Sequence, residues 1–197
     1  MNLPRAMCFI DGENIVMRYQ AMMAEGALPN RQVVHESDCF LWHPKISMWS
    51  MFDFVRINYY TSTTGDAPRI EALKNKISST EYSASYTHEK GVPDATAQLV
   101  PHVFHKPSKN TKTRNVDLQI SIDVLRAAHL SNIQLIYIVS GDGDYVPLIQ
   151  EVSRLGKEVY VAAFSSGLSP KLGYNVDAFQ LLDGFFFRKP RKRAKIG

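Results

Sequence analysis

Short apolar runs alternate with longer amphipathic segments along this chain. Residues 6–10 (Ala-Met-Cys-Phe-Ile) are apolar and stop at Asp11, as a short buried strand would. Asn14 can cap a helix with Ile15, Tyr19, Met22 and Met23 on one face and Gly26 past its end. Residues 52–61 are rich in Phe, Val, Ile, Tyr and Thr and predict a second strand. Pro68 opens a helix with Ile70, Leu73 and Ile77 inward. A weaker strand is expected over 82–88 and a short one over 99–104. Residues 133–139 give the clearest strand, 146–155 a helix and 159–164 another buried strand. Ser169-Pro170 predicts the start of a short last helix. Residues 116–124 alternate apolar and polar like a strand. They also place Leu118, Ile122 and Leu125 at helical spacing and run on into Ala127-Ala128, which favours a helix. The β-α-β-α succession predicts an α/β fold with a mostly parallel central sheet and helices on both faces.

Two segments break the pattern. Residues 27–50 and 89–113 lack a clear period and hold prolines, and both read as insertions or long loops. The whole reads as one domain over 1–187 with a basic tail over 188–197.

Charge changes the picture only at that tail. The chain of 197 residues has a net charge of +4 and a pI of about 9.0. Six cations crowd its end: Arg188, Lys189, Arg191, Lys192, Arg193 and Lys195. They exceed the net charge by two, so the rest of the chain is slightly acidic. Such an arm can solubilise a terminus or contact phosphates, with a salt slope near ~5 if all six engage. No apolar run approaches the ~20 residues of a membrane span, and two cysteines make no disulfide framework. A cytoplasmic, non-membrane protein is therefore expected.

The candidate chemistry is acidic. The first strand leads into Asp11-Gly-Glu-Asn14, and the strand at 133–139 leads into Ser140-Gly-Asp-Gly-Asp144. In an open parallel sheet ligands sit beyond the carboxyl ends of the strands, so both segments deliver acids to one rim. Asp117, near the start of its helix, can aim at the same place. Asp123, about 240° further round, cannot point the same way and reads as scaffold; Asp177 stays within reach. Clustered carboxylates need protons or a hard cation between them, and without a thiolate set Mg²⁺ or Mn²⁺ suits them best. Such an ion can acidify water and stabilise a phosphoryl group, which fits phosphodiester hydrolysis.

The segments Phe9-Ile-Asp-Gly-Glu-Asn14, Asn115-Val-Asp-Leu-Gln-Ile-Ser-Ile-Asp-Val-Leu125 and Ile138-Val-Ser-Gly-Asp-Gly-Asp-Tyr-Val-Pro-Leu148 resemble the NYN domain family, the LabA-like group included. The stretch from Gly156 to Leu182 does too. The resemblance implies a PIN-like three-layer fold related to metal-dependent nucleases. It implies that Asp11, Asp117, Asp142 and Asp144 form the acidic metal site, with Asn14 and Ser140 positioning acids or substrate. Arg114 stands where the family often has lysine, with Lys112 close by; either cation can contact a phosphate, though the two are not equivalent. The expected activity is an Mg²⁺- or Mn²⁺-dependent endoribonuclease. Its expected partner is RNA, single-stranded in preference to duplex. DNA stays open because no reader of the 2′-hydroxyl is visible, and so does a homodimer. The alternatives are an RNA-binding or scaffolding module without turnover, and a small-molecule phosphohydrolase.

Other groups rank lower. His35, Cys39 and His43 recur at helical spacing, but no fourth zinc ligand is apparent and packing explains them better. His102 and His105 read as loop or strand residues. Phe185-Phe-Phe187 could stack bases, yet packing on the body is the simpler role. The same holds for Tyr59, Tyr60, Trp42 and Trp49.

Overall fold

A computed structural model describes residues 3–46, 52–84, 95–108 and 114–188. Strand β1 (Arg5–Asp11) runs into helix α1 (Gly12–Ala24). A hairpin of β2 (Val34–Glu36) and β3 (Phe40–Trp42) follows, then β4 (Asp53–Thr63), α2 (Ala67–Ser78), β5 (Glu81–Ala84) and β6 (Ala95–His105). The second half holds α3 (Arg114–Ala128), β7 (Leu135–Val139), α4 (Val146–Arg154), β8 (Glu158–Ala163), β9 (Ala178–Leu181) and α5 (Asp183–Phe186). Seven strands form one sheet in the order β5-β6-β4-β1-β7-β8-β9. Among the described pairs of this sheet, only β5–β6 is antiparallel.

The sheet is three-layered because its strands are apolar on both faces, as buried parallel strands must be. Ala6, Cys8 and Ile10 of β1 pack with Leu135, Tyr137 and Val139 of β7 into the core beneath α1, α2 and the hairpin. The intervening Phe9, Ile136 and Ile138 face the opposite core, formed with Val116, Ile120 and Val124 of α3 and Leu148, Ile149 and Val152 of α4. The two-residue period of a strand assigns alternate side chains to the two cores.

Topology places the site. From β1 the chain moves outward to β4 and β6, then returns through α3 to β7 on the other flank of β1. Connections thus leave β1 and β7 in opposite senses, which opens a crevice at their carboxyl ends. Gly12 makes the first exit possible. A Cβ there would stand 2.5 Å from the Tyr59 ring and 2.6 Å from the Tyr60 carbonyl oxygen. Gly12→Ala is expected to destabilise the fold by about 1–3 kcal/mol, the usual cost of overpacking, and urea unfolding would show it.

Several sequence expectations change. The 27–50 segment is not peripheral in its described part: Phe40, Leu41, Trp42 and Ile46 are buried in the first core. Period analysis misses this because β2 and β3 have only three residues each. The short strand expected at 99–104 is longer, extending over Ala95–His105 despite Pro101. The helix expected after Ser169-Pro170 is only a 3₁₀ turn at Leu172–Tyr174, and β9, unforeseen, follows it. The ambiguous 116–124 segment is helical, but its buried face is not the expected one: Leu118 and Ile122 are exposed, and Val116, Ile120 and Val124 face the core.

Candidate functional site

Four backbone features deliver the acids to the crevice. Asp11 ends β1 and caps α1, with Oδ1 accepting from the Asn14 N–H at 3.0 Å. Its Oδ2 accepts from the Ser140 hydroxyl at 3.1 Å. Ser140 in turn accepts from the Asp142 N–H at 3.2 Å, and Asn14 Oδ1 accepts from the Gly141 N–H at 3.1 Å. The loop after β7 is thereby tied to the end of β1 on both sides. Asn14 and Ser140 are buried, so they orient the acids and their loop. Asp142 caps the 3₁₀ turn Gly143–Tyr145 by accepting from the Asp144 N–H at 2.9 Å. Asp144 caps nothing; α4 starts with Tyr145 as its cap and no side-chain bond.

Asp117 enters from the other layer, on the first turn of α3. The Tyr145 hydroxyl lies 3.3 Å from Asp117 Oδ1 and 3.4 Å from Asp11 Oδ2. Two carboxylates from opposite halves of the chain are therefore within reach of one phenol oxygen. A single phenol hydrogen can satisfy only one of them at a time, so charge remains in excess.

The electrostatics record that excess. Asp11, 3% exposed, has its carboxyl pushed up from 3.8 to about 7. Burial is the main cause, with the charges of Asp117 and Glu13 adding to it; the Asn14 and Ser140 hydrogen bonds pull the other way. Asp117 is also raised, first by desolvation of its carboxyl and then by Asp142, Glu13 and Asp144, against the Tyr145 bond. The Tyr145 phenol is raised by burial and by Asp11 and Asp117, so it stays a donor.

Three contributors escaped the sequence reading. Tyr145 lies inside the quoted acid loop, where a hydroxyl instead of a plain apolar residue was the available signal. Glu13 stands in the Asp-Gly-Glu-Asn run; it accepts from the Ser62 hydroxyl and pairs with Lys106 Nζ at 3.8 Å. Lys106, buried at the end of β6, comes from a polar stretch with no pattern to single it out.

The remaining candidates separate clearly. Asp123 binds the Tyr60 hydroxyl at 3.0 Å, with Gln119 and Arg126 beside it, and is scaffold. Asp177 cannot reach the site: its Oδ2 accepts from the Val159 N–H at 2.8 Å, near the start of β8, at the opposite rim. His35, Cys39 and His43 lie on a hairpin, so their four-residue spacing does not create a common helix face. His102 stacks on Tyr60 at 4.3 Å. Tyr59, Tyr60 and Trp42 are core residues. Phe186 is buried, and Phe187 stacks on Tyr19 at 5.0 Å, which anchors the tail. Arg188 is exposed, its N–H bonded to the Leu28 carbonyl. Arg114 begins α3. Trp49, Lys112, Lys189, Arg191, Lys192, Arg193 and Lys195 lie outside the described residues.

Among the described residues no three acid, His or Cys side chains stand close enough to enclose an ion by themselves. The donor set still fits a hard cation. It consists of carboxylate oxygens, one pair shares a single hydrogen-bond donor, and buried Asp11 carries a carboxyl made unfavourable to ionise. Mg²⁺ commonly keeps several waters and needs only one or two protein carboxylates.

The NYN domain family model matches residues 5–183. The chain belongs to that family, whose domain is of the PIN-like nuclease superfamily. Among solved structures, a protein of unknown function from Vibrio parahaemolyticus is similar, with a TM-score of 0.60 and 15% identity, covering 94% of this chain and 97% of its own. That likeness is one of fold. No curated protein matches the chain. No described helix is long and apolar enough to cross a membrane.

Proposed function

We propose that this chain is an Mg²⁺- or Mn²⁺-dependent endoribonuclease that hydrolyses RNA phosphodiesters with water. The observation that carries the reading is the meeting of Asp11 and Asp117 at the Tyr145 phenol, beside the charges of Asp142 and Asp144. Membership of a nuclease superfamily supports it. The bound ion would supply charge stabilisation for the phosphoryl group and acidify water.

The chain's own residues do the rest. Asn14 and Ser140 fix both oxygens of Asp11, so the carboxylate does not need to reorient when an ion arrives. Ser140 and Asn14 also hold the Asp142 loop in place. Asp117 and Asp144 reach solvent at the open side, where they can accept hydrogen bonds from an attacking water. The cations from Arg188 to Arg193, with Lys112 and Arg114, attract the RNA backbone. A single strand suits this arrangement best, since its backbone can bend into a crevice.

Purified protein incubated with labelled single-stranded RNA is expected to cut it internally with Mn²⁺ and not with EDTA. Retention of RNA without product, in Mn²⁺ as in EDTA, would establish the binding-module alternative instead. Preference for p-nitrophenyl phosphate over oligonucleotide would point to a small-molecule phosphohydrolase.

A further inference from the structure

Arg18 lies one helical turn beyond Asn14 on α1, with its Cβ about 5–6 Å away. Its setting is costly for a cation. The side chain is half-buried, and its Nε is fully buried with no hydrogen-bond partner among the described residues. Among the described residues the guanidinium has no ion pair either. Water cannot reach Nε, and no described protein group replaces it.

The backbone opposite is shaped around this group. Gly167 adopts φ +66°, a left-handed conformation suited to glycine, and a Cβ there would run into the guanidinium. Gly167 belongs to the loop after β8, which is bound to the acid loop. The Ser169 N–H donates to the Gly141 carbonyl at 3.0 Å, and the Ser169 hydroxyl lies where a Gly143 side chain would be. Gly141 is also the residue held by Asn14. An unpaired cation thus flanks the same short loop that carries the acids.

We infer that Arg18 binds a backbone phosphate of the nucleic-acid strand, next to the one lying at Asp11 and Asp117. The acids themselves repel a polyanion, and a planar guanidinium presents paired N–H donors matched to phosphate oxygens. The inference rests on the nucleic-acid reading above, but not on turnover. It also predicts the path of the strand, from the Asp117 side across Gly141 toward α1.

The test is binding of a fluorescently labelled single-stranded RNA in EDTA, followed by anisotropy over a salt series. Arg18→Gln is expected to weaken binding about tenfold, the loss of one charge-assisted contact, and to lower the salt slope by about one. Arg18→Lys should keep the slope and regain only part of the affinity. Because Arg18 holds no described partner, both variants should melt within a few degrees of the parent; if Arg18→Gln fails to fold, the Arg18→Lys affinity carries the test. Unchanged affinity and slope in Arg18→Gln would overturn the inference and leave the nuclease reading standing. Wild-type binding without cleavage in Mn²⁺ would do the reverse, and no RNA binding by the wild type under either condition overturns both.

Discussion

Asparagine in place of Asp117 is expected to reduce Mn²⁺-dependent RNA cleavage by about a hundred- to a thousandfold, the scale lost with one electrostatic group of an active site. The substitution keeps the shape of the side chain and an oxygen for the Tyr145 hydroxyl, now 3.3 Å away. It removes the charge that faces Asp11 across the crevice. The fold should not suffer, because α3 is held by Val116, Ile120 and Val124, none of which moves. The thermal midpoint should therefore stay within a few degrees while single-turnover cleavage collapses. Cleavage that persists both in this variant and in EDTA would eliminate the proposed mechanism.

The second large effect concerns Asp11. Its carboxyl ordinarily titrates near 3.8 but is held at about 7 in the folded chain. Below pH 4 it is protonated whether the chain is folded or not. Between about pH 4 and pH 7 the folded chain keeps a proton that the unfolded chain has released, so stability falls as pH rises through this window. The whole shift corresponds to about 4 kcal/mol, an upper bound because burial and neighbouring charges relax together. Asp11→Asn should thus melt about 5 °C above the wild type at pH 8 in EDTA, and the gap should close toward pH 5. Mn²⁺ should raise the wild-type midpoint at pH 8 and leave the variant unmoved, since only the charged pair gains from a cation. Parallel melting curves for the two proteins across pH 5–8 would show that Asp11 is not under this strain. Loss of activity in Asp11→Asn alongside a gain in stability would fit an acid kept at a cost for its chemistry.

Much of this arrangement was legible before the structure. Strands β1, β7 and β8 read as short apolar runs and β4 as a stretch rich in Phe, Val, Ile, Tyr and Thr, and their alternating side chains supply both cores. Helices α1, α2 and α4 follow from their period, but not from their caps: Asp11 rather than Asn14 caps α1, Asp66 caps α2 just before Pro68, and no side chain caps α4. The acids at the ends of β1 and β7 could be placed at one rim from strand parallelism alone. Short elements were not legible. The hairpin strands of three residues and the four-residue β9 are fixed by tertiary contact, with Phe40 and Leu41 buried and Leu182 bonded to Ala163. Asp177 shows the limit at the site itself. Its chemistry matched the other acids, but the register of β8 with β9 carries it to the far rim. Tyr145 and Lys106 were hidden for another reason: their roles arise from convergence of distant elements, which leaves no periodic trace.

The anchoring of the last aromatic residues has a further consequence. Arg188 is pinned to Leu28, just past the far end of α1, a helix of 13 residues that begins at the acids. The root of the basic arm is thus roughly 20 Å from Asp11. A dinucleotide filling the crevice would not extend to Arg188. A strand running the length of the helix could engage the acids and Arg188 together, so oligomer length, ahead of base identity, becomes the first variable by which this protein would choose what it holds.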